Sequence, residues 1–175
     1  MKDVKKKEGN TMKFSIRPIE ENDINFLWEM LYESLFVSEG QDPFDKGIIN
    51  DPLISKYVDG WGRDGDIGFI AINNEGKPVG SITARIFNES NKGFGYIDSD
   101  VPELGMALLQ EYRNRGIGSA LLEELFKKCL SRRIRRISLS VDPANTAAMK
   151  LYKRFGFNEI GEVGTSITMV ADLID

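Results

Sequence analysis

Apolar and polar residues alternate through Phe14-Ser15-Ile16-Arg17, a period of two that predicts a short strand stopped by Pro18. The period then changes. Ile24, Leu27, Trp28, Leu31 and Leu35 recur at helical spacing, predicting a helix with one apolar stripe, opened by Asn22 or Asp23 as its cap. Over residues 38–66 the pattern is broken by Gly40, Pro43, Gly47, Pro52, Gly60, Gly62 and Gly65, so at most one short helix, within 46–58, fits between loops. Strands are predicted at 67–72 and 79–87, joined through Asn73-Asn74-Glu75-Gly76 as an antiparallel hairpin. After a polar loop at 88–102 come a strand at 103–109, a helix at 116–130, a strand at 137–141, a helix at 145–155, and strands at 157–160 and 166–170.

The strand, helix, strand passage over 103–141 predicts a right-handed crossover between two parallel strands in a sheet that is otherwise mostly antiparallel. The fold class expected is α/β in its mixed, α+β form, with helices on both faces of the sheet. At 175 residues the chain is of one-domain length and shows no internal repeat or linker. Residues 1–11, rich in lysine, are expected to be a flexible tail, and residues 12–175 a single domain.

Composition narrows function more than fold. Hydrophobic residues make up 41% and charged residues 29%, the balance of a chain that buries a core rather than one that stays disordered. A net charge of −4 offers no overall attraction to nucleic acid. There is no histidine, which excludes a Ser-His-Asp triad, a Cys-His pair, a histidine base and a histidine metal site. Proton transfer must fall to Asp, Glu, Tyr, Lys or Cys. The only cysteine, Cys129, has no partner for an internal disulfide, which fits a reducing compartment. No apolar segment near the amino terminus resembles a secretion signal, and no run approaches the ~20 apolar residues of a membrane span, so the expected location is the cytoplasm. Asn88-Glu89-Ser90 has the form of a glycosylation acceptor, which means nothing without such a signal.

The segment with chemical character is Arg113-Asn114-Arg115-Gly116-Ile117-Gly118-Ser119, between a strand and an amphipathic helix. First-turn amides of a helix lack intrahelical partners and lie at the positive end of its dipole, so an anion belongs there. Glycines at 116 and 118 let a phosphate approach the main chain, and Arg113 and Arg115 add positive charge. On the glycines alone, a tight turn with close helix packing explains the segment as well. A Walker loop needs Lys and then Ser or Thr after its last glycine, but Ser119-Ala120 follow Gly118; a dinucleotide fingerprint needs glycine where Leu121 stands. The formal G-x-G-x-x-G at Gly60, Gly62 and Gly65 precedes a strand rather than a helix and is assigned to a mobile loop.

Two stretches read together decide between these options. ELGMALLQEYRNRGIGSALLEEL at 103–125 carries R-x-x-G-x-G after a strand, and LSVDPANTAAMKLYKRFGF at 139–157 carries N-x-x-A-x-x-L-Y-x-x-x-G-F after the next. Together they resemble the GNAT superfamily of acetyl-coenzyme A dependent N-acetyltransferases, with a weaker likeness at Ile16-Arg17-Pro18 and Asp23. The resemblance implies a sheet whose fourth and fifth strands run parallel but splay, with acetyl-coenzyme A wedged between them and no metal. The main chain at Leu108 and Leu109 would pair with the pantetheine arm as an added strand. The amides of Arg113, Asn114, Arg115, Gly116, Ile117, Gly118 and Ser119 would hold the diphosphate, Asn145 would bond the pantetheine, and Tyr152 would lie near the sulfur. Gln110 departs from the family pattern, where proline is common.

Acetyl transfer needs a base for the amine, a donor for the developing oxyanion and an acid for the departing thiolate. Glu103, ten residues before Arg113, stands where several family members carry a catalytic glutamate, and is the candidate base, acting directly or through water. It reads equally as a solvent-facing residue at a strand edge, with a reference pKa near ~4.3. An amide near Leu108 is the oxyanion donor, and Tyr152 the acid, against a plain reading as a core aromatic. A covalent route through Cys129 is disfavoured because that residue continues the apolar stripe of Ile117, Leu121, Leu122, Leu125 and Phe126. The run Arg132-Arg133-Ile134-Arg135-Arg136 reads as cations at a helix end rather than as a nucleic-acid patch. Asp98, Ser99 and Asp100 with Glu103, flanked by Trp61 and Tyr96 as apolar walls, suggest a cationic amine. The expected partner is thus a small-molecule or peptide amine, with no nucleic acid and no membrane; a homodimer is compatible with the sequence. The alternatives are a non-catalytic acyl-coenzyme A sensor and a small structural or nucleic-acid binding domain.

Overall fold

A computed structural model describes residues 13–174, and the tail expected over 1–11 lies outside them. The strands are β1 (Phe14–Pro18), β2 (Ile67–Asn73), β3 (Pro78–Arg85), β4 (Glu103–Leu108), β5 (Arg136–Val141), β6 (Asn158–Val163) and β7 (Ser166–Asp172). The helices are α1 (Ile24–Glu33), α2 (Pro52–Ser55), α3 (Ile117–Ser131) and α4 (Thr146–Arg154). One sheet runs in the order β1-β2-β3-β4-β5-β7-β6, antiparallel at every step except β4 to β5.

Alternation along the strands sorts side chains onto two faces. Ile67, Phe69 and Ala71 of β2, Leu104 of β4, and Ile137, Leu139 and Val141 of β5 lie under α3 and α4 in the larger core. Ile70 points the other way and meets Leu27 and Leu31 of α1 and Val58. The predicted stripe of α3 is its buried face: Ile117, Leu121, Leu122, Leu125 and Cys129 are fully covered. Truncating one of these leucines to alanine is expected to cost ~2–5 kcal/mol.

The irregular region departs from expectation. In place of one helix within 46–58 there is a 3-10 turn at Lys46–Asn50 followed by the single turn of α2. Each starts on an aspartate: Asp45 accepts from the Gly47 N–H at 2.7 Å and Asp51 from the Leu53 N–H at 3.0 Å. The glycine loop at 60–66, expected to be mobile, is tied down. Asp66 Oδ2 accepts from the Gly62 and Arg63 amides at 3.0 and 2.9 Å, and Asp66 pairs with Arg85 at 3.0 and 2.9 Å. Arg85, 1% exposed, also donates to the Lys56 and Asp59 carbonyls at 2.8 and 2.6 Å. A buried guanidinium bonded on every side staples residues 56–66 to β3, and removing one member of such a pair costs ~3–5 kcal/mol. At the start of the chain, Asp23 uses its carboxylate on Arg17 and the Glu20 amide rather than as a cap of α1, and the Arg17 hydrogen bond holds its carboxyl below the usual range.

Candidate active site

β3 and β4 stay in register from Arg85 and Glu103 to Gly80 and Leu108, and β5 and β7 from Arg136 and Asp172 to Val141 and Ile167. Between β4 and β5 there is a single rung, Glu103 with Ser138. Each central strand follows its antiparallel neighbour, so the sheet opens beyond that rung. The Leu109 N–H donates to Val79 at 2.9 Å, and the Ser138 N–H to Pro102 at 3.0 Å, which fixes the parity of β4. Odd-numbered residues from 103 to 109 direct their main chain at β3; Met106 and Leu108 direct theirs into the opening. Leu109, expected to face a ligand, is turned away: its carbonyl takes the Tyr112 N–H at 2.9 Å. Met106, which the sequence reading passed over, lies on the open side. The Leu108 carbonyl accepts from Arg113 Nε at 3.1 Å, leaving its N–H facing the gap.

The opening leads to the start of α3. Gly116 is the N-cap residue, in the left-handed conformation with φ 84°, and among the described residues no side chain caps the helix. The Ala120 amide bonds Gly116 at 3.2 Å, and the amides of Ile117, Gly118 and Ser119 are those a helix leaves without internal partners. Gly118 serves packing: a Cβ there would lie 3.3 Å from Leu151 Cδ2 and 3.4 Å from Met106 Cε. Arg113 bends back to Leu108 and to Glu33 at 3.4 Å, while Asn114 and Arg115 are exposed. Arg154 of α4, unremarked in the sequence, reaches Ser119 Oγ at 2.9 Å and adds its charge to the helix entrance. Only folding back of α4 brings it there, and no local spacing announces it. These features fit a phosphorylated carrier: donors without partners, a strand edge without a neighbour, and cations at one end.

At the closed end lies Glu103. It is 3% exposed and so is not the solvent-facing edge residue that its position allowed. The Gly95 N–H donates to Glu103 Oε1 at 2.7 Å, and the Tyr57 hydroxyl lies beside the same carboxyl. Burial pushes its pKa up to about 7, against these two groups and nearby Lys56, which lower it. Across the rung, Ser138 Oγ is a buried polar atom without a hydrogen-bond partner among the described residues.

Tyr152 is buried, its ring edge-on to Phe157 at 5.6 Å, and burial raises its phenol, which therefore stays protonated at neutral pH. Asn145 caps α4 by accepting from the Ala148 N–H at 3.3 Å, which leaves its amide nitrogen for another partner. Cys129 is buried, and burial lifts its thiol to about 11, far from a neutral-pH nucleophile. Trp61 and Tyr96 do not form walls of one site: Trp61 covers Arg85 and lines a depression with Ile19, Glu20 and Ile24, whereas Tyr96 lines a cleft of about 610 Å³. That cleft carries Lys56, Lys92 and Glu89 beside Leu53 and Phe94, so its charge is mixed rather than acidic. Among the described residues no helix is long and apolar enough to cross a membrane.

Comparison with known proteins agrees with this architecture. The Acetyltransferase (GNAT) family profile matches residues 24–157. An L-amino acid N-acetyltransferase of Escherichia coli is 32% identical over 84 residues, 47% of this chain and 48% of that one. An uncharacterized N-acetyltransferase of Methanocaldococcus jannaschii is 28% identical over 149 residues, 83% of this chain and 61% of that one, so the chain spans between about half and three-fifths of these relatives. Among solved structures, a phosphinothricin acetyltransferase from Sinorhizobium meliloti in complex with AcCoA superposes with a TM-score of 0.64 at 20% identity, covering 93% of this chain and 89% of that one. A GCN5-related N-acetyltransferase from Kribbella flavida gives 0.65 at 20% identity, covering 91% and 98%. With its splayed parallel pair between antiparallel flanks and the profile match over most of its length, the chain belongs to the GNAT acetyltransferase family.

Proposed function

We propose that this chain transfers an acetyl group from acetyl-coenzyme A to a primary amine by direct attack in a ternary complex. One observation carries the reading: the solitary rung at Glu103 and Ser138, beyond which an unpaired strand edge leads from a buried carboxyl to the uncapped amides of α3. Acetyl-coenzyme A supplies the activated thioester. The Met106 and Leu108 N–H groups offer donors along the opening, one for the pantetheine arm and one for the carbonyl oxygen as it gains charge. The amides of Ile117, Gly118 and Ser119, with Arg154 beside them, receive the diphosphate. Asn145 turns its free amide nitrogen to the pantetheine.

Glu103 accepts the amine proton, directly or through water; with a pKa of about 7 it is half ionised where the reaction runs, which suits a base far better than an exposed carboxylate. Tyr152 returns a proton to the departing thiolate. The acceptor is a small-molecule or peptide amine, entering by the mixed-charge cleft, and relatives named for L-amino acids and for alanine of a ribosomal protein support either size. The setting is cytoplasmic and no metal is involved. The test follows thiol release from acetyl-coenzyme A across a panel of amines, with coenzyme binding measured in parallel. Wild type should release thiol with at least one primary amine, and Tyr152→Phe should bind the coenzyme but turn over about 10²-fold more slowly. Binding without release on every amine would favour the sensor, and absence of both would end the reading.

A further inference from the structure

We propose that Tyr57 is a positioning residue for Glu103: its hydroxyl, seated between the Phe94 N–H and the Glu103 carboxyl, fixes that carboxyl together with the Gly95 N–H at the closed end of the opening. The inference rests on Glu103 being the base of the reaction proposed above. Tyr57 lies just beyond α2, in a stretch whose hydrophobic pattern has no period, and Arg85, which ties residues 56–66 to β3, helps bring it to β4.

The geometry leaves the hydroxyl little choice. The Tyr57 ring stands edge-on to Phe87 at 5.1 Å and parallel to Phe94 at 6.4 Å, so it cannot swing. Its oxygen accepts from the Phe94 N–H at 2.7 Å, which leaves its one proton free for the carboxyl beside it. The Gly95 N–H reaches Oε1 at 2.7 Å from the same loop. Nothing larger than glycine fits beside them, since a Cβ on Gly93 would lie 2.5 Å from Glu103 Oε1 and 2.8 Å from the Tyr57 hydroxyl. Lys56, Gly93 and Phe94, chain neighbours of Tyr57 and Gly95, line the cleft of about 610 Å³.

The other groups facing Glu103 are accounted for. Lys56, next to Tyr57, favours the charged form from a distance. Arg85, its register partner on β3, is committed to Asp66 and two carbonyls. Ser138 on β5 does not titrate. Tyr57 thus places a hydroxyl beside the carboxylate, and its removal raises the carboxyl's affinity for a proton while leaving the aromatic stack in place.

The experiment titrates glutamate δ-carbons by 13C NMR in the full chain, the Glu103 signal being identified by its loss in Glu103→Gln, alongside pH profiles of kcat/KM. In Tyr57→Phe the Glu103 midpoint should rise by about one pH unit, and the acidic limb of kcat/KM should move with it. The rate should fall roughly fivefold at pH 7 and recover at pH 9, with coenzyme KM unchanged, and Tyr57→Phe should add nothing in a Glu103→Gln background. An unmoved midpoint in folded Tyr57→Phe, or an equal loss of rate in the Glu103→Gln background, overturns the proposal. Should Tyr57→Phe not fold, fluorotyrosine at position 57, a stronger donor on the same ring, must lower the midpoint, and no change overturns it. A moved midpoint in a protein that releases no thiol supports Tyr57 as the holder of Glu103 and ends the transferase reading.

Discussion

The two ends of β4 are built on opposite principles. At Glu103 the strand is paired on both sides, the carboxyl is buried, and its polar neighbours come from a loop and a tyrosine. At Leu108, about 16 Å away at ~3.3 Å per residue, one side of the strand is open and the donors ahead of it at α3 have no protein partner among the described residues. A group that must hold a proton at neutral pH needs a dry, crowded seat, because desolvation is what raises a carboxyl. Groups that must grip an anion need the reverse: main-chain donors left unused until the anion arrives. In the proposed function one strand carries both, and its single rung to β5 is the boundary.

The sharpest way to break that contrast is to remove the proton-holding group and leave the anion grip intact. Glu103→Gln should lower kcat/KM by about 10²–10⁴-fold near pH 8 and abolish the acidic limb centred near 7, with coenzyme affinity unchanged by equilibrium binding. A coenzyme affinity that collapsed with the rate would mean that the two ends are not separate.

The same residue gives a prediction without substrates. A carboxyl near 7 in the folded chain and 4.5 as its reference value takes up a proton on folding. Its raised pKa favours the fold fully below about 4.5, and that advantage is lost as pH rises through 7, a decline of about 3 kcal/mol in all. Urea midpoints of wild type against Glu103→Gln between pH 4.5 and 8 should diverge, the variant losing this downward slope. Parallel curves would return Glu103 to the exposed reading.

Legibility in the sequence followed the same divide. The proposed anion end could be read because each of its parts is local: Gly116, the amphipathic run of α3 and the Asn145 to Phe157 pattern lie within single elements. The parallel step over 103–141 was accessible too, because a helix joins two successive strands there. The proton end was legible only as a glutamate at a strand start. Tyr57, Gly95 and Arg85 reach it across 46, 8 and 18 residues of chain respectively, through loops whose hydrophobic pattern carries no period. Leu109 was misplaced for a subtler reason: which residues of a strand turn their main chain to which neighbour depends on register, and periodicity of side chains does not report it.

At the anion end, Gly116→Ala tests whether the left-handed cap sets the direction of the amides. Nothing crowds the site, so the penalty is conformational, of the order of 1–2 kcal/mol. If the cap relaxes to avoid it, coenzyme affinity should fall roughly 5- to 30-fold, with the pH midpoint of Glu103 unmoved. A variant that binds normally but is less stable would assign Gly116 to folding alone.

The smallest effect is expected at the rung itself. Ser138 Oγ is buried with no hydrogen-bond partner among the described residues, on the face of β5 that also carries Glu103's side of the sheet. A hydroxyl desolvated without compensation destabilises the fold, so Ser138→Ala should be neutral or raise stability by up to about 1 kcal/mol. Turnover at pH 8 should stay within about twofold of wild type, because the backbone N–H, not the hydroxyl, makes the rung to Pro102. Thermal melts and the thiol-release assay check both halves. A loss of turnover in a stable Ser138→Ala protein would place the hydroxyl in the proton path and extend the buried end of β4 across to β5.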